Sequence, residues 1–62
     1  MAGRLLTPAE VAERLRVSTR TLEFWRHQGR GPAYVRVGKR VRYRAGDVEG
    51  FIEAQRSTTS DA

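Results

Sequence analysis

Ten of the chain's twelve lysine and arginine residues lie between Arg14 and Arg44, with a single acid, Glu23, among them. The flanks reverse the balance, with Arg4 and Arg56 set against Glu10, Glu13, Asp47, Glu49, Glu53 and Asp61. A molecule polarised in this way concentrates polyanions at its basic middle and speeds their capture. A solvated basic face, or a surface for an acidic protein, would have the same composition. Eleven of the twelve cations are arginine. Its planar fork grips phosphate and guanine edges through paired hydrogen bonds, although a GC-rich coding sequence gives the same bias.

Residues for other chemistry are missing. There is no cysteine, and His27 is the only histidine. Disulfides are excluded and a structural zinc site is not expected. No nucleophile accompanies a base, and no glycine-rich loop is set to cradle a nucleotide phosphate. The sequence therefore implies no catalytic residue, no metal, no cofactor and no small-molecule ligand. The chain has 62 residues, a formal net charge of +5 and 39% hydrophobic content. That suits one small domain, which hides only about 60% of its unfolded surface. No apolar run approaches a membrane span and no signal-peptide core is present. The lack of cysteine fits a reducing cytoplasm, so a cytoplasmic protein with no membrane partner is expected.

The elements that must position the cations can be read in turn. Thr7-Pro8-Ala9-Glu10 places a cap, a proline at the first helical position and a glutamate two residues later, a capping box. Leu6 and Val11 have the spacing of a hydrophobic staple. The first helix is expected from Pro8 to Leu15 or Arg16, with Val11, Ala12 and Leu15 on one face. Ser18 caps a second helix from Thr19 to Gln28, and Gly29 ends it. Two short helices joined through Arg16-Val17-Ser18 make a helix-turn-helix layout. Leu22 and Trp25 share the inner face of the second helix, with Arg26 at its edge; Arg20, Glu23, Phe24 and His27 lie broadly opposite.

Gly29-Arg30-Gly31-Pro32 reads as a loop. Tyr34-Val35-Arg36-Val37 and Val41-Arg42-Tyr43-Arg44 alternate apolar and basic residues and predict a hairpin. A three-residue loop, Gly38-Lys39-Arg40, would pair Val37 with Val41, Arg36 with Arg42 and Val35 with Tyr43, separating apolar from basic faces. A third helix is expected from about Gly46 to Gln55, with Val48, Phe51, Ile52 and Gln55 in helical period. The expected organisation is an arm at 1–4, a domain at 5–55 and a flexible polar tail at 56–62.

The order helix, turn, helix, basic hairpin, helix resembles the small winged helix-turn-helix proteins of the excisionase type, related to the DNA-binding heads of MerR-type regulators. The resemblance is carried by Leu5-Leu6-Thr7-Pro8-Ala9-Glu10-Val11-Ala12, Val17-Ser18-Thr19-Arg20-Thr21-Leu22, Trp25, Gly29-Arg30-Gly31-Pro32, Val35-Arg36-Val37-Gly38, Arg42-Tyr43-Arg44 and Asp47-Val48-Glu49. It covers residues 5–54, and seven weak pieces in the right order make a strong signal. It implies a small α/β winged helix-turn-helix fold, with three helices and one two-stranded hairpin wing. It also implies a second helix in the major groove of double-stranded DNA and a wing on the backbone or minor groove. Family members direct phage-type recombination or regulate transcription. The favoured expectation is a DNA-bending recombination directionality factor, bacterial or phage-encoded and on the nucleoid. An integrase, and neighbouring copies on DNA, would be its partners. A stand-alone transcriptional regulator is the runner-up, and a basic protein-interaction module comes third. The expectation leans partly on there being no room for an effector domain or a long dimerisation helix.

Two departures stand out. The family commonly has glycine where Arg16 stands; a left-handed Arg16 would cost roughly 1 kcal/mol, which leaves open a turn built differently. The family favours an apolar residue where Gly31 stands, so a looser link between second helix and wing is expected.

On this footing the candidate DNA-binding residues are Ser18, Thr19, Arg20, Glu23, Phe24 and His27 on the second helix, and Arg36, Lys39, Arg40 and Arg42 on the wing. Arg20, in the first turn and on the outer face, is where a recognition helix reads base edges; a phosphate contact or plain solvation are its alternatives. Glu23 accepts from cytosine or, by i, i+3 spacing, holds Arg20. Ser18 and Thr19 are phosphate donors. Phe24 suits a thymine methyl, a protein neighbour, or the edge of Trp25. His27 meets phosphate or only solvent. Trp25 and Tyr43 are expected in the core, Tyr43 beside Val35.

Overall fold

Thr7 and Glu10 cap each other at the start of α1 (Pro8–Leu15): the Glu10 N–H donates to Thr7 Oγ1 at 3.1 Å, and the Thr7 N–H donates to Glu10 Oε1 at 2.9 Å. Such a cap contributes about 1 kcal/mol. The computed structural model describes residues 4–58, so positions 1–3 of the expected arm and 59–62 of the expected tail lie outside it.

The end of α1 is built on a left-handed residue after all. Arg16 has φ 62° and ψ 40°. Its N–H donates to the Glu13 carbonyl at 3.2 Å, and the Val17 N–H donates to the Ala12 carbonyl at 2.9 Å. These two bonds make a Schellman motif, in which Arg16 holds the position that favours glycine. Val17, the next residue, packs against the core.

The second helix, α2 (Thr19–His27), starts at Ser18, whose Oγ accepts from the Thr21 N–H at 3.0 Å. It ends in the same motif as α1. Gly29, at φ 68°, donates to the Arg26 carbonyl, and the Arg30 N–H donates to the Trp25 carbonyl at 2.7 Å.

Three strands form one antiparallel sheet in the order β1-β3-β2: β1 (Leu5–Leu6), β2 (Val35–Val37) and β3 (Arg40–Arg44). The short β1 was not foreseen. It pairs Leu5 with Arg44 and Leu6 with Tyr43. The hairpin register also differs from expectation: Val35 faces Arg42, Arg36 faces Val41 and Val37 faces Arg40. The loop is thus the two residues Gly38-Lys39, with Gly38 at φ 64° in the first central position, which suits a type II′ turn. The expected register assumed a core beneath both strands. Only β3 meets the core, through Tyr43 and Val41, while Val37 is 52% exposed and gains nothing from facing inward.

The third helix, α3 (Ala45–Thr58), follows β3 directly and runs three residues past the expected end, into the segment expected to be tail. Val11, Ala12, Leu22, Tyr43 and Val48 are buried, and Leu6, Leu15, Val17, Trp25, Val41 and Ile52 pack around them. Each buried Val or Leu is worth about 1.5–3 kcal/mol. The result is a small α/β domain of three helices and a three-stranded sheet whose hairpin forms a wing.

Candidate nucleic-acid interface

The two faces of α2 divide as the spacing predicts. Leu22 is wholly buried and Trp25 half-buried, with its ring 5.9 Å from that of Phe51 on α3. Arg20, Glu23, Phe24 and His27 are exposed on the other side. Phe24 is 54% exposed, an unusual position for a phenylalanine with no core role. The Glu23 carboxylate stands 4.0 Å from His27 Nε2, one turn on, and makes no ion pair with Arg20. Thr19 is exposed; the Ser18 hydroxyl already serves the cap and lies 3.0 Å from Thr21 Oγ1.

The wing presents Lys39 at its tip, with Arg36 and Arg40 exposed beside it. Arg42 is half-buried and donates to the Val41 carbonyl at 2.7 Å. Because of the register, Arg36 and Arg42 are not cross-strand partners. Arg40, Arg42 and Arg44 share one sheet face with Leu5, Val35 and Val37, and Arg36 lies on the other. Like charges therefore do not sit directly opposite one another, which removes the repulsion the expected register would have carried.

The fold brings acids of the flanks onto some of the cations and leaves others without a partner. Glu10 lies 3.7 Å from Arg4, and Glu49 pairs with Arg14, joining α3 to α1. The Thr7 backbone N–H, helped by the charges of Arg4 and Arg42, holds the Glu10 carboxyl below its ordinary value. Among the described residues no carboxylate lies within ion-pair distance of Arg20, Arg36, Lys39, Arg40 or Arg42. Of these, Arg20, Arg36, Lys39 and Arg40 are exposed, and such unpaired, exposed cations are suited to a polyanion.

The chain matches, over residues 5–56, the model of a family described as helix-turn-helix domain. It belongs to that family. Helix-turn-helix domains of this kind are a DNA-binding family that includes excisionase-like proteins. No curated protein matches the chain. Within the helix-turn-helix frame α2 is the second helix, the place a recognition helix holds in such motifs, and the β2–β3 hairpin is the wing. No helix among the described residues is long and apolar enough to cross a membrane.

The link between recognition helix and wing is tighter than expected. Gly31, at φ 84°, lies so close to Trp25 that an added Cβ would sit 2.9 Å from the indole Cε3. An apolar side chain there would collide with the ring; glycine lets the loop lie flat upon it. One residue that sequence reasoning left at the edge of a helix face also matters here: Arg26 Nη1 donates to the Tyr43 hydroxyl at 3.0 Å. Its position beside the apolar stripe of α2 was visible, but a partner 17 residues away was not.

Proposed function

We propose that this helix-turn-helix protein binds double-stranded DNA sequence-specifically and bends it, as an excisionase-like recombination directionality factor acting with a phage-type integrase. The observation that carries the reading is a set of exposed cations without acid partners, Arg20 on α2 and Arg36, Lys39 and Arg40 on the wing. Arg20 reads base edges from the first turn of α2, Phe24 meets a thymine methyl, and Thr19, His27, Arg36, Lys39, Arg40 and Arg42 take phosphates. Ser18 contributes through its hydroxyl, and Glu23 reads cytosine or orients its neighbours.

One such module covers only about 600–1,000 Å² of DNA. Several copies side by side in one orientation supply the rest, the acidic side of one facing the basic wing of the next; such a contact does not close on itself. Summed bends give the curvature that an integrase complex needs. The role belongs on the nucleoid, in the cytoplasm. A transcriptional regulator is the second reading, favoured by the same two DNA-facing elements.

The test is a gel-shift titration on duplexes carrying one, two and three sites, with circularly permuted probes and sedimentation of the free protein. Cooperative filling with a growing bend, from a monomer, is expected. A stable solution dimer, independent filling or an unbent duplex favours the regulator. Failure to bind any duplex, with capture of acidic peptides instead, favours the protein-interaction module.

A further inference from the structure

Arg26 sits at the edge of the apolar face of α2 and is half-buried. Its Nη1 donates to the hydroxyl of Tyr43, a residue only 1% exposed in the middle of β3. The same guanidinium lies 5.8 Å from the centre of the Tyr34 ring, just before β2. The two tyrosine rings stand 6.1 Å apart at 54°. Three side chains, from α2, from the segment entering β2 and from β3, thus close a triangle.

The rest of the packing gives this triangle its weight. The main partner of α2 is α1, whereas β3 packs on α1 and α3. Recognition helix and wing are therefore joined chiefly through intermediaries, and the Arg26 contacts bridge them directly. No carboxylate pairs with Arg26 among the described residues. Its direction is set by a hydroxyl acceptor held in the core, Tyr43, and by the ring of the exposed Tyr34, which lies against Tyr43. A hydrogen bond from a charged donor is stronger than a neutral one, and its loss would strand the buried Tyr43 hydroxyl.

We propose that Arg26 is a positioning residue that fixes the angle between recognition helix and wing, through Tyr43 and Tyr34. Arg20 on one element and Lys39 and Arg40 on the other then meet a duplex as one rigid unit. The second half of this statement rests on the DNA-binding reading above; the first does not.

The test uses Tyr43→Phe, which keeps the ring in the core, and Arg26→Met. In the free protein, amide residual dipolar couplings report the orientation of residues 35–44 relative to α2. Both variants should change that orientation. On DNA, each should weaken binding roughly fivefold, and the double variant should be no weaker than the worse single, as coupled residues behave. In a Lys39→Ala/Arg40→Ala background each should weaken binding by a smaller factor, because the wing then contributes only through Arg36 and Arg42. Merely lowered stability would instead weaken binding by the same factor in both backgrounds. Unchanged couplings in both variants overturn the proposal, whatever the DNA result. So does a silent Tyr43→Phe beside an Arg26→Met with a shallower salt slope, which would make Arg26 a phosphate contact. If the wild type binds no duplex, the proposed function fails and the couplings alone decide the clamp.

Discussion

Arg16 ends α1 in the same left-handed conformation in which Gly29 ends α2, at φ 62° and 68° respectively. The motif is the same and the residue is not, so one helix end is strained where the other is relaxed. Arg16→Gly should therefore stabilise the domain by about 1 kcal/mol. Gly29→Ala should destabilise it by a similar amount, although nothing lies within 4 Å of the added methyl. Thermal unfolding checks both, with shifts of about 4–8 °C for a domain near this size. A destabilised Arg16→Gly would mean that the side chain makes up for its backbone.

A second expectation concerns base reading. Arg20 projects from the first turn of the exposed face of α2 and is held by no acid. Arg20→Ala should cost about 1–3 kcal/mol of binding and relax preference at one base pair. Selection from a randomised duplex pool measures this. Weaker binding with unchanged preference would reduce Arg20 to a phosphate contact.

The wing tip should behave differently. Lys39→Ala with Arg40→Ala should weaken all sequences alike and reduce the log–log salt slope by about two counterions. The measurement is affinity across a range of salt concentrations. An unaltered slope would place both side chains in solvent when DNA is bound.

The α1 cap predicts a response to acid. Glu10 is held below its ordinary value of 4.5, first by the Thr7 N–H and then by the nearby charges of Arg4 and Arg42. A depressed carboxylate contributes stability above its unfolded value and loses it as pH falls through the folded one. The wild type should therefore lose stability below about pH 4.5 more steeply than Glu10→Gln. Parallel melting curves from pH 7 to pH 3 would show that the Glu10 charge adds nothing.

Local signals in the sequence were enough for the helices. Thr7, Glu10 and Ser18 act within three residues of themselves, so their caps can be read directly. The outer face of α2 follows from helical period alone. The sheet was harder. Two residues of β1 are too few to show a period, and their partner strand lies almost forty positions away. The hairpin register failed for a related reason: the valines of β2 alternate as if a core lay beneath them, but the strand reaches beyond the helices. The site itself was legible as a set of cations and their faces. The arrangement of Arg40 and Arg42 against valines, and the hold of Arg26 on Tyr43, depend on contacts between distant segments.

The packing of Gly31 on Trp25 has a practical consequence. Trp25 is the only tryptophan in the chain. Its indole is half-buried against the Phe51 ring and the Gly31 backbone, on a different face of α2 from Arg20. Bases in the groove would not touch it, so its emission carries no direct quenching from them. A spectral change on adding duplex would instead register α2 shifting against α3. The domain carries its own optical gauge, mounted behind the helix whose movement it reads.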